Sequence, residues 1–234
     1  CFGNYPQDEV DPFHINSLSR VTEPGCEPEC DYIVGARHLD AVIRVDRSVR
    51  DPDGPAGPLP PDAGYVEWIL SSLPSDPLAP GYVENKNDAP RLNIIGDPFD
   101  GPLRMHDAIL DGDILTMHDN RTATGEPSRF VEYRIDTSGA PEDWSATLVR
   151  QILSPSGFTS GSLGSARTAD DGSVLMGWGA PPGGIPMIVE YDADGVELLR
   201  MEFSLGVNGY RVLKYPVSTF DVDELRATAG NTTE

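Results

Sequence analysis

Short apolar or alternating runs recur along the chain at residues 32–34, 41–45, 114–117, 130–135, 173–177, 187–191 and 196–203, each the length of a β-strand. Between them stand Asp111-Gly112, Asp171-Gly172 and Asp194-Gly195. Glycine supplies the positive φ that a tight hairpin turn needs, so these pairs predict antiparallel meanders. The pattern is most regular late in the chain, where residues 169–179 (ADDGSVLMGWG) lead to residues 188–199 (IVEYDADGVELL). Turn, apolar strand, turn, strand ending in Tyr-Asp, then Asp-Gly and a further strand is the outline of one propeller blade, echoed by residues 110–118 and 130–136. The predicted class is all-β, a β-propeller fragment of about four to five blades at roughly 45 residues each, within a larger propeller. Residues 1–220 form this unit, and the tail 221–234 carries a short helical turn at 222–227 and no chemistry.

Two stretches, 48–64 and 71–101, are rich in proline, glycine and aspartate and too long for hairpin turns. They are predicted as long loops over one propeller face. The 24 glycines and 22 prolines of the 234 residues have no period, which favours short strands over long helices. A hydrophobic content of 38% suffices for a packed core. The net charge of -21 would repel phosphates at long range, and no basic stripe offsets it, so nucleic acid is not an expected partner. With Lys86 and Lys214 the only lysines, the acidic surface fits high salt or an arginine-favouring proteome equally. No run approaches the roughly 20 apolar residues of a membrane span.

Cys26 and Cys30 bracket a loop short enough for a local disulfide, with a reduced thiol pair as the alternative. Cys1 fits either a processed lipoprotein or an arbitrary cut, and the second is preferred. Asn120-Arg-Thr and Asn231-Thr-Thr match the glycosylation sequon. Aspartate-rich turns such as Asp51-Pro-Asp53-Gly54, Asp111-Gly-Asp113 and Asp192-Ala-Asp194-Gly195 lack the rest of a calcium loop, and no zinc-ligand spacing occurs. No metal site and no cofactor are predicted.

All four histidines sit in short polar clusters: Asp11-Pro-Phe-His14-Ile-Asn16-Ser17, Ala36-Arg37-His38, Arg104-Met-His106-Asp107 and Met117-His118-Asp119-Asn120. Imidazole transfers protons or attacks near neutral pH, and guanidinium matches an oxyanion with a planar fork of donors. Strand alternation would set His14 and Asn16 on one face and turn Asp107 away from His106. His38 would point away from Arg37, and His118 would close a strand with a turn-stabilising role.

In this order the clusters resemble the succession found in arylsulfate sulfotransferases. The resemblance continues through Pro127-Ser-Arg129, Gly161-Ser-Leu-Gly-Ser165, Gly177-Trp-Gly179 and Tyr210-Arg211. It implies a propeller enzyme that takes a sulfuryl group from a phenolic sulfate ester and passes it to a phenol, without a nucleotide donor. It further implies His106 as the covalent carrier, with His14, Asn16 and Arg37 binding the sulfuryl oxygens. Arg211, Ser162, Ser165 and His38 would line the pocket. Export to the periplasm or cell exterior, with Cys26 and Cys30 joined, follows from the same resemblance. Chains of that family place another blade or more before the first of these motifs. The rest of the propeller, or a second chain, is therefore an expected partner, and a non-catalytic binding or assembly propeller is the alternative function.

Overall fold

A computed structural model describes residues 11, 13–26, 30–46, 66–72, 89–122, 124–182, 187–203 and 209–229. The loop predicted at 48–64, the 73–88 part of the second loop, Cys1 and the Asn231 sequon lie outside these residues.

The first sheet runs in chain order through β1 (Ile15–Arg20), β2 (Tyr32–Ala36), β3 (Ala41–Val45) and β4 (Val66–Ser71), all antiparallel. A second sheet contains β5 (Asn93–Ile95), β6 (His106–Asp111), β7 (Ile114–Asp119), β8 (Arg129–Asp136) and β9 (Ser145–Leu153), in the order β5-β9-β8-β7-β6. The third repeats the first pattern with β10 (Ser165–Thr168), β11 (Val174–Gly177), β12 (Met187–Tyr191) and β13 (Glu197–Glu202). The described residues thus build three sheets, where a uniform repeat length predicted four to five. The difference arises in the connections: β1 to β4 alone span residues 15–71 because a long insertion precedes β4. The tail forms a helix, α1 (Val222–Ala229), slightly longer than the turn predicted there.

Gly112, Gly172 and Gly195 take φ of 57°, 82° and 81°, so the Asp-Gly pairs make the turns read from the sequence. One core fills the space between the first two sheets, with Ile33, Val42, Trp68, Leu70, Leu110, Leu115 and Val131 at its centre. A second, built on Phe130, Ala166, Val174, Met176, Trp178 and Val189, joins the second sheet to the third. The sheets therefore pack in series, and their leading strands meet: β1 lies against β6, and β10 lies against β6 and β7.

The loop predicted at 71–101 ends as structure. Ile69 N–H donates to the Pro90 carbonyl and Leu92 N–H to that of Ile69, both at 2.9 Å. The next residue opens β5, which pairs in parallel with β9. One segment therefore stitches the outer strand of the first sheet to that of the second. Beyond it lies Asp97, which accepts both outer nitrogens of Arg129 at 2.8 and 2.9 Å. Arg129 Nε reaches Asp119 Oδ2 at 2.9 Å, Arg121 joins Asp119 and Glu126, and Tyr133 donates its hydroxyl to Asp97. Phe99 lies beneath both guanidiniums at 4.5 and 4.7 Å. Arg129, Asp97 and Asp119 have fully buried side chains. Burial pushes the Asp97 carboxyl up, but Arg129, Tyr133 and the Phe99 N–H outweigh it and hold the group below its ordinary value. For Asp119 burial wins over the two arginines, and its carboxyl is raised.

Candidate functional site

His106 opens β6 opposite His118 on β7, and the register shifts before Ile109. Asp107 sits in this bulge with φ of 62°. Its carboxylate pairs with Arg167 and accepts the Ala166 N–H at 3.1 Å, so it does not orient His106. Asn120 does that. Asn120 Nδ2 donates to the Leu163 carbonyl at 3.0 Å, which leaves Oδ1 to accept from His106 Nδ1 at 2.7 Å. The imidazole lone pair then falls on Nε2, where it accepts the Leu163 N–H at 3.2 Å. Burial pushes His106 down to about 3, and charge on His118, Arg37 and His14 adds to this against the Asn120 bond. The ring is neutral at physiological pH.

Asn16 reaches this group by a route that simple alternation does not give. β1 pairs Ile15 with Ala36 but Ser17 with Gly35, so the ladder is irregular at Asn16. Asn16 and Ser17 are both buried while Ile15 is 64% exposed. His14 precedes the strand with φ of 45°, so the shared face predicted for His14 and Asn16 is broken by the bulge and the left-handed residue before it. Asn16 Nδ2 donates to the Met105 carbonyl at 2.6 Å, directly before His106. The Asn16 carbonyl accepts Tyr210 OH at 3.1 Å and Arg211 Nη2 at 3.2 Å. Tyr210 stands edge-on to His106 with ring centres 6.3 Å apart.

Arg37 lies in a single 3₁₀ turn, Arg37–Leu39, and its Nη2 donates to the Gly161 carbonyl at 3.2 Å. Burial lowers its pKa, and Arg104 adds to that while Asp40 opposes it. The 158–164 segment thus receives Arg37 at Gly161 and His106 at Leu163. It also places Ser162, which is buried. Ser165 follows, its hydroxyl accepting the Val212 N–H at 2.9 Å and so fixing the strand of chain that carries Arg211. A recess of about 150 Å³ beside Arg211 is lined by Gly177, Gly179, Phe203 and Val212.

His38 does not lie in an extended segment but in the 3₁₀ turn. The 3₁₀ turn rotates it onto His14, with ring centres 4.6 Å apart. His118 is fully buried behind the site, edge-on to Trp178, and its Nδ1 donates to the Leu163 carbonyl at 3.1 Å. Burial lowers its pKa to about 4, opposed by that bond. Gly164 fits this contact because it takes φ of 103° and because a Cβ there would run into the His118 ring. Asn120, one of the sequon asparagines, is fully buried and bonded, so the folded chain does not offer it to a glycan.

Among the described residues, three side-chain atoms in this region are buried without a hydrogen-bond partner: Asn16 Oδ1, Arg37 Nε and His118 Nε2. Sequence reasoning named Arg37, Asn16, His14 and His106, and the fold brings them into one neighbourhood. It missed Asn120 as the orienting group and Leu163 as the backbone that meets His106. The polar run 117–120 was a visible signal for the first, while nothing in Leu163 marks the second. Cys26 and Cys30 lie at disulfide distance. Among the described residues no helix is long and apolar enough to cross a membrane. No protein-family model matches the chain, and no curated protein matches it either.

Proposed function

We propose that the chain is an arylsulfotransferase whose His106 carries the sulfuryl group. The supporting observation is the convergence of a neutral, oriented imidazole with Arg37 and Asn16, both holding buried polar atoms without partners. Unpaired buried donors and acceptors cost about 1–3 kcal/mol each, a cost that a bound oxyanion repays at Arg37. In the first step Nε2 attacks sulfur, the sulfur–oxygen bond to the aryl group breaks, and a phenolate leaves. In the second a phenol oxygen attacks sulfur, its proton is released, and the nitrogen–sulfur bond breaks, restoring the neutral ring. The protein supplies placement and charge stabilisation, as in phosphoryl transfer. Arg37 and His14 hold the peripheral oxygens, Asn16 helps to orient the group, and Arg211, Ser162, Ser165 and His38 border the substrate. Attack requires the Leu163 N–H to leave Nε2.

The three serial sheets, with leading strands in contact, are read here as consecutive propeller blades. Export to an oxidising compartment accords with the adjacent cysteines. A second reading, a non-catalytic scaffold, draws on the Leu163 N–H, which satisfies the same lone pair that catalysis needs.

Incubation with an aromatic sulfate ester and a phenol, followed by mass analysis of the peptide bearing His106, decides between them. The enzyme reading expects turnover and an added sulfuryl mass on that peptide. His106→Asn should abolish both while the fold survives. Arg37→Lys keeps the charge but loses the fork, and should slow transfer by about 2–4 kcal/mol in barrier without removing the adduct. Absence of turnover and adduct in the folded parent protein favours the scaffold.

A further inference from the structure

Asp11, His14 and His38 form a cluster whose contacts differ from those around His106. Asp11 accepts the His14 main-chain N–H on Oδ1 at 2.8 Å and lies 2.6 Å from His14 Nδ1 through Oδ2. The Asp11 carbonyl is 2.7 Å from His38 Nδ1. Main-chain bonds lock the geometry, with Arg37 N–H on the His14 carbonyl at 3.1 Å and His38 N–H on that of Phe13 at 3.2 Å. His14 holds φ of 45°, a conformation that costs about 1–3 kcal/mol for a residue with a side chain. That cost is met where two imidazoles and a carboxylate come together.

We propose that Asp11, His14 and His38 form a binding site for a divalent transition-metal ion, with zinc as the probe. One ligand atom from each residue lies within 4.8 Å of the others. Ligands about 2.0–2.2 Å from a tetrahedral ion stand roughly 3.3–3.5 Å apart, so closing the site asks for side-chain movements of about 1 Å and no change of fold. Two nitrogens and one carboxylate suit zinc and its neighbours in the first transition row, whereas calcium and magnesium seek mostly oxygen. The carboxylate supplies one negative charge, and the chain's net charge of -21 favours cation approach at long range. Arg37, whose backbone holds His14, works against a dication, so affinity must come from ligation geometry. Spacing along the sequence hides this set, because His14 and His38 are 24 residues apart and meet only through the β1–β2 pairing and the 3₁₀ turn that follows.

The inference goes beyond the sulfotransfer reading and shares His14 and His38 with it. Asp11 belongs to the ion alone, and His38 borders the substrate in the other reading without carrying chemistry. The test is calorimetric titration of tag-free protein with zinc, together with the visible spectrum of the cobalt(II) form. One ion per chain and cobalt bands of a nitrogen-ligated, low-coordinate site are expected. His38→Ala and Asp11→Asn should each weaken zinc at least tenfold, and His38→Gln should do the same should the alanine variant unfold. His106→Asn should bind zinc as the parent does while losing transfer, which separates failure of this site from failure of the enzyme reading. Absence of saturable uptake overturns the proposal. So does uptake that all the Asp11 and His38 variants retain, or that the His106 variant alone loses.

Discussion

The chain buries two polar groups side by side and treats them oppositely. β7 supplies both: His118 faces the histidine centre, and Asp119, the next residue, belongs to the ion network with Arg129 and Asp97. In the network Arg129 meets two carboxylates and the Gln151 side chain, and Tyr133 closes a corner. In the histidine centre Asn16, Arg37 and His118 each retain a buried atom with no partner. A buried charge set that is fully answered specifies the fold, and breaking it leaves an unpaired ion. A set left partly unanswered carries a cost that packing does not explain, which is why the second group, and not the larger first one, is the candidate site.

The largest effect expected from this contrast is in the network. Arg129→Met leaves the buried Asp97 without its cation and Asp119 with Arg121 alone, and should cost about 3–5 kcal/mol, measured as a shift of the urea unfolding midpoint. Next is Gly164→Ala, which demands φ of 103° from alanine and drives its methyl into His118. A loss of about 2–3 kcal/mol is expected in the same assay.

The pH dependence follows from the two depressed histidines. His106 and His118 have folded pKa values of about 3 and about 4 against an ordinary 6.5. Between pH 6.5 and 4 the unfolded chain takes up protons that the folded chain refuses. Stability from these groups is therefore complete above about pH 6.5 and falls as the solution is acidified, by about 1.4 kcal/mol per pH unit for each histidine once both unfolded rings are protonated. Unfolding series at pH 7, 6 and 5 check this, and His106→Asn should remove part of the slope. The smallest effect is at Arg37. Arg37→Met should change stability by less than about 1 kcal/mol in either direction, because its Nε is unpaired and only one carbonyl bond is lost. A loss as large as that of Arg129→Met would erase the contrast between the two regions.

The sheets that were legible in the sequence are those closed by Asp-Gly turns: β6–β7, β10–β11 and β12–β13. The strand at 174–177 and its neighbours were visible because apolar runs and turn residues agree there. β5 was not, since three residues held in parallel by a distant strand carry no local signature. Asp97 was hidden for the same reason, inside a stretch whose proline and glycine content reads as loop. The site residues were named from their types and order, but the shared face expected of His14 and Asn16 is interrupted by a left-handed residue and a bulge, whereas Asp107 is bonded elsewhere and not to His106, as expected of it. At His38 a 3₁₀ turn replaces the extended backbone expected there.

Leu163 faces His106 through its N–H and, through the carbonyl of the following peptide group, both His118 and Asn120. That makes the Leu163 N–H a spectroscopic reporter for the His106 ring. Its proton resonance should lie downfield while Nε2 accepts it and move upfield when the ring is sulfated, protonated or replaced. In a nitrogen–proton correlation spectrum of labelled protein, a single cross-peak would follow the state of the imidazole without any probe being introduced.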